Sequence, residues 1–166
     1  MIDPHALLMK ANCDQTVALV GIRGFRSPPG HNLIGSYDDR IFICAPDLAL
    51  DFEANTDPSK LKPEEATLKP GLYMYKLGIH GLSRPAARRY PALVQACPVT
   101  VLRQGGGEAR GFFGLNIHRG GYTTTGSEGC QTIFPDQWTE FFKTVKDLLI
   151  KYDQAVIPYL LVENTA

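Results

Sequence analysis

The sequence predicts a β-dominated α+β domain, a sandwich or partly closed barrel with one long helix in its C-terminal half. Three observations carry this. Short runs rich in β-branched and aromatic residues recur along the chain, separated by glycine, proline and polar turns. A single apolar stripe with helical spacing runs from Trp138 to Leu149. No repeat, low-complexity tract or shift in composition divides the 166 residues, a length that a single core serves comfortably. Residues 1–166 therefore read as one domain.

The elements follow in order. His5 to Asn12 is expected to be a short helix within an N-terminal extension over residues 1–15, since Pro4 suits a first helical turn. Thr16 to Arg23 reads as the first strand, Arg40 to Ala45 as the second and Leu48 to Phe52 as the third. Asn55 to Pro70 is polar and proline-containing, hence a long surface loop or connecting segment. Leu72 to His80 is a strand with aromatic residues two apart. Val99 to Arg103 and Phe112 to His118 are expected to pair across the turn Gln104-Gly105-Gly106-Gly107-Glu108, and Cys130 to Phe134 is a further strand. The helix runs from Pro135 or Asp136 to Tyr152, with Asp136 and Lys151 placed to suit its dipole. Val156 to Val162 closes the chain as a strand that Pro158 assigns to an edge.

Seventeen basic and seventeen acidic residues cancel, which gives no electrostatic reason to expect nucleic acid or an anionic membrane as partner. The basic run from Arg84 to Arg89 reads as a solvated loop. No segment approaches the roughly 20 apolar residues of a membrane span. Met1 to His5 lacks a basic region followed by an apolar stretch, so no signal peptide is expected.

The four cysteines, Cys13, Cys44, Cys97 and Cys130, are widely spaced without a Cys-x-x-Cys pair, and a disulfide framework is not expected. Cys44 and Cys97 sit in apolar, strand-like surroundings. Cys130 differs, because Ser127, Glu128 and Gly129 precede it and resist burial by packing. Upstream lies Asn116-Ile117-His118-Arg119-Gly120-Gly121, a strand end opening into a glycine-rich loop. A thiol needs a base to react near neutral pH, and imidazole is the usual one. Twelve positions separate His118 from Cys130, enough for the chain to leave one strand and return beside it. Cys130 is thus the candidate nucleophile and His118 its candidate base. His80 is a rival base or a residue lining the same cleft. Glycine beside a nucleophile lets a substrate carbonyl approach backbone N–H groups.

Chain order removes several alternatives. Papain-like peptidases place cysteine before histidine, whereas no histidine follows Cys130. Sortases need an arginine after the cysteine, and the last one here is Arg119. No His-Glu-x-x-His cluster occurs, and neither a metal nor an organic cofactor is implied.

Histidine, a glycine-containing loop and Ser-x-Gly-Cys together resemble the L,D-transpeptidase catalytic domain, in its compact form found in phage and in secreted antibacterial effectors. The resemblance is specific over Gly114 to Phe134. Glu128 stands where the family has a second histidine, the loop after His118 is shorter than usual, and Gln131 occupies a position that is often basic or polar. The resemblance implies a β-rich, partly barrel-like sandwich with a helix. It implies Cys130 as nucleophile, His118 as base, and Ser127 and Gly129 as shaping residues. Peptidoglycan stem peptides become the expected substrate, with Arg119 and Arg84 as carboxylate contacts, Tyr122 as oxyanion helper, and Asn116, Gly120 and His80 as further contacts. Action is then expected in the periplasm or cell wall after delivery by phage lysis or a secretion machine, with an immunity protein as partner of an effector. A non-catalytic wall-binding or structural module is the alternative of another class.

Overall fold

The computed structural model describes residues 2–165. In chain order the elements are α1 (Pro4–Lys10), β1 (Ala18–Arg23), β2 (Asp39–Ala45), β3 (Leu48–Asn55), β4 (Ala66–Leu68), β5 (Gly71–His80), β6 (Tyr90–Gln95), β7 (Val99–Arg103), β8 (Glu108–Gly111), β9 (Ile117–Arg119), β10 (Gln131–Ile133), α2 (Pro135–Lys151) and β11 (Ile157–Glu163). The molecule is β-dominated α+β. Eight strands hydrogen-bond in the closed order β1-β11-β5-β6-β9-β10-β3-β2, and β4-β7-β8 form a separate small sheet. The ring does not split into two facing sheets. It is thinnest between β6 and β9, where Leu93 opposite Ile117 is the sole registered pair.

Alternation along the strands sorts side chains to the two faces of the ring. Leu19, Ile41, Ile43, Phe52, Tyr75, Leu93, Ile117, Ile133, Tyr159 and Leu161 share one apolar cluster. The stripe of α2 (Trp138, Phe141, Val145 and Leu149) joins that cluster, with Phe141 edge-on to Phe52 at 5.2 Å between ring centres. On the other face Ala18, Val20, Ile22, Cys44 and Leu160 pack with Leu8 of α1. The Asp3 carboxylate caps α1 by accepting the His5 N–H at 2.9 Å.

Three sequence expectations require correction. The hairpin partner of β7 is β8, with Val99 opposite Gly111, not Phe112 to His118. Residues 112–116 form no strand because the Gln95 amide oxygen takes their backbone donors, accepting from Phe113 N–H at 3.1 Å and Leu115 N–H at 2.8 Å. A side chain there replaces a ladder partner.

Pro158 lies in the interior of the ring, between β1 and β5, not at an edge. It sits opposite Met74, whose N–H points to Cys97 Sγ at 3.1 Å and whose carbonyl accepts from Ala96 at 2.8 Å. Pairing with β1 starts one residue later, at Tyr159. Neither neighbour requires the missing N–H, so the proline costs no ladder bond.

The segment 55–70 is more than a surface loop. It contains β4, and Asn55, Thr56 and Asp57 are buried.

Among the described residues no helix is long and apolar enough to cross a membrane.

Candidate functional site

The short strands β9 and β10 run parallel, with Gln131 opposite Ile117 and Thr132 opposite His118. Parallel neighbours cannot be joined by a tight turn, and residues 120–130 make the crossover as a loop. That register brings Cys130, just before β10, beside Asn116, just before β9. His80 ends β5, and its ring stacks on that of His118 with centres 3.9 Å apart and planes at 15°. The four residues line one cleft of about 1000 Å³.

The turn that presents Cys130 is tied down by polar contacts. Ser127 Oγ accepts the Gly129 N–H at 3.0 Å and donates to the Cys130 carbonyl at 2.6 Å. Ser59 braces the turn from the other side, donating its N–H to the Ser127 carbonyl and accepting the Ser127 N–H on Oγ, both at 2.8 Å. Gly129 has φ +136°, and a Cβ there would stand 2.5 Å from the Ala66 carbonyl oxygen. Both facts demand glycine.

The partners of each imidazole fix its tautomer. His118 Nδ1 lies 2.8 Å from the Arg119 carbonyl, an acceptor only, so Nδ1 carries the proton and Nε2 keeps its lone pair. The Tyr90 hydroxyl also reaches this pair, 3.0 Å from Nδ1 and 3.3 Å from the same carbonyl. His80 Nδ1 faces the Asn116 amide nitrogen at 3.0 Å, which makes it an acceptor and leaves the proton on Nε2. One ring is therefore a potential base and the other a potential donor.

Both members of the cysteine–histidine pair rest neutral. Burial pushes the Cys130 thiol up to about 11, with Glu128 adding to the rise and the Asn116 N–H and Arg84 opposing it. Burial, and then the stacked His80, drives His118 down to about 3 against the pull of the Arg119 carbonyl. His80 is lowered by burial and by Arg84. Cys130 Sγ accepts the Asn116 N–H and donates to the Gly114 carbonyl, both at 3.3 Å. Its hydrogen bonds thus run to backbone and not to the His118 ring, and a resting thiolate–imidazolium pair does not form.

The structure gathers Cys130, His118, His80, Asn116, Ser127 and Arg84 at the cleft, with Gly129 behind them. Three other predicted contacts lie elsewhere. The Tyr122 hydroxyl donates to Asp136 at the start of α2, on an exposed ring outside the cleft. The Arg119 guanidinium lies over the Tyr90 ring at 5.6 Å. Gly120 packs against Tyr37, whose hydroxyl would stand 2.1 Å from an added Cβ.

Tyr90, Ser59 and Glu65 were not anticipated. Tyr90 follows the basic run without turn or strand punctuation, and the other two lie in a polar stretch that hydropathy reads as loop. Among the described residues no group of three or more His, Cys, Asp or Glu side chains gathers as a metal site would require. No family model matches the chain, and neither a curated protein nor a solved structure matches it significantly.

Proposed function

We propose that the chain is a compact L,D-transpeptidase-like domain performing cysteine-dependent acyl transfer or hydrolysis on peptidoglycan stem peptides. The supporting observation is the convergence of Cys130 with His118 in one cleft, where the Arg119 carbonyl leaves His118 Nε2 as the free base.

Because both groups rest neutral, activation belongs to the attack itself. As Cys130 Sγ bonds to the carbonyl carbon of an L-centre, Nε2 takes the thiol proton. In this reading the oxyanion is received by the Cys130 N–H, since the Gly129 N–H is already committed to Ser127. The carbon–nitrogen bond then breaks, and His118 returns the proton to the departing amine of the D-residue. An amine or water attacks the thioester next, His118 takes its proton, and Sγ leaves and is reprotonated. Arg84, the arginine in the cleft, takes a stem-peptide carboxylate. The reading requires delivery to the periplasm or cell wall, through phage lysis or a secretion machine, with an immunity protein in the latter case.

A non-catalytic wall-binding module is the second reading. The observation favouring it is the engagement of Sγ by backbone instead of imidazole. One experiment separates the two: mass spectrometry of muropeptides incubated with the protein, with Cys130→Ala and with His118→Ala. Loss of a terminal D-residue, a new cross-link or a cleaved stem is expected with the native chain only. Cys130→Ala abolishes it, and His118→Ala lowers it by about 10²- to 10⁴-fold. Unchanged muropeptides with folded native protein would sink the enzyme reading.

A further inference from the structure

The wall of the cleft that precedes β4 contains a carboxylate with nothing to hold it. Glu65 is 8% exposed, and its Oε2 is sealed from solvent without a hydrogen-bond partner. No lysine, arginine or histidine among the described residues lies within ion-pair reach of it. A carboxyl group with one oxygen sealed from water and no protein donor is costly to keep, and buried acids are ordinarily paired. Glu65 differs from a strained core residue in its position, because it lines the cleft that holds Cys130.

Its placement is firm. The Glu65 N–H closes a turn on the Lys62 carbonyl at 3.0 Å. The next residue, Ala66, puts its carbonyl oxygen 2.5 Å from where a Cβ on Gly129 would stand. Glu65 is thereby anchored against the turn that presents the thiol. The surrounding charges are complementary in an informative way: Lys60, Lys62 and Arg84 line the same cleft and pair with no carboxylate among the described residues. An acid without a donor and bases without an acceptor, in one cleft, match a ligand that carries both charges.

We propose that Glu65 is the ammonium-recognising residue of this cleft, receiving a primary amino group that belongs to the substrate. Lys62 and Arg84 take the carboxylate on the same zwitterionic centre. The assignment rests on the stem-peptide reading, in which that centre is the side-chain end of the diamino acid. It is a recognition group and not the attacking amine. An N–H held by a carboxylate stays protonated, and a protonated nitrogen has no lone pair with which to open a thioester.

The test is equilibrium binding and needs no turnover. Two tetrapeptides, L-Ala-D-Glu-diamino acid-D-Ala, with the side-chain amine free or acetylated, are titrated calorimetrically into Cys130→Ala protein and into the same protein carrying Glu65→Gln. The free amine is expected to bind at least about tenfold tighter, a preference that Glu65→Gln abolishes. Glu65→Gln on its own is expected to leave Tm no lower, because Glu65 Oε2 has no hydrogen bond to the protein for the change to remove. Equal affinity for the two peptides, failure to bind either, a preference that survives Glu65→Gln, or a fall in Tm would each overturn the proposal. Inert muropeptides alongside an intact ammonium preference would defeat acyl transfer and leave Glu65 its role.

Discussion

At the residue scale the site is made of groups with no freedom to change. Gly129 combines a φ of +136° with an Ala66 carbonyl where its Cβ would be. Gly129→Ala is expected to cost about 2–5 kcal/mol, from backbone strain together with overpacking, measured as a shift in the urea midpoint.

His118 makes a prediction about pH. Its folded pKa is depressed to about 3 from 6.5, so the unfolded chain binds the proton more tightly. The contribution of His118 is therefore present above pH 6.5 and is lost as pH falls toward 3, by at most about 1.4 kcal/mol per pH unit. Asp39 runs the other way. Burial and Asp57 raise it to about 7 from 3.8, so its contribution is full below 3.8 and fades as pH rises to 7. The two offset one another between pH 4 and 6.5 in the native chain. His118→Asn should expose the Asp39 dependence, with urea stability rising as pH falls through that window. A variant with the same pH dependence as the native protein would show that His118 is not buried neutral.

At the scale of elements, legibility followed the kind of force that holds each one. The α2 stripe and the strands β1, β2, β5 and β7 are maintained by apolar burial, and their apolar runs or alternation show in the sequence. Phe141→Ala, at the contact of α2 with Phe52, is expected to cost about 3–5 kcal/mol, read by thermal or urea unfolding. What was not legible is held by polar contacts between residues far apart in sequence. Gln95 strips residues 113 and 115 of ladder partners, and Ser59 fastens the turn at Ser127 across 68 positions. Neither leaves a periodic trace. The pair Cys130 and His118 was legible because glycine, serine and histidine chemistry concentrates within a few positions. Arg119 and Tyr122 were misplaced for the same reason, since proximity in sequence to His118 carries no information about which way an exposed loop turns.

The whole molecule is closed around a mixture of apolar and charged interior. Arg23 is 6% exposed on the β1 strand of the ring and donates to the Thr56 and Leu68 carbonyls at 2.8 and 2.9 Å, with Asp57 at 3.2 Å. The arginine fastens the segment 55–70, and with it the wall carrying Ser59 and Glu65, to the ring. Arg23→Met is expected to cost about 3–5 kcal/mol, because it strands the Asp57 carboxylate and two carbonyls. Hydrogen exchange is expected to show its largest rise in residues 56–68. A uniform rise through the ring would instead mean that Arg23 supports the sheet alone.

Closure also governs how copies of this chain meet. An open sheet ends in two rows of unpaired N–H and C=O groups on which another chain can template. Among the described residues the eight main strands close on one another and leave no free end strand, with β6 and β9 joined by the thin seam at Leu93 and Ile117. The end strands belong to the small sheet, β4 and β8, three and four residues long, and β8 carries Glu108 and Arg110. A concentrated native solution is therefore expected to stay dispersed, and fibre formation to wait until the ring opens.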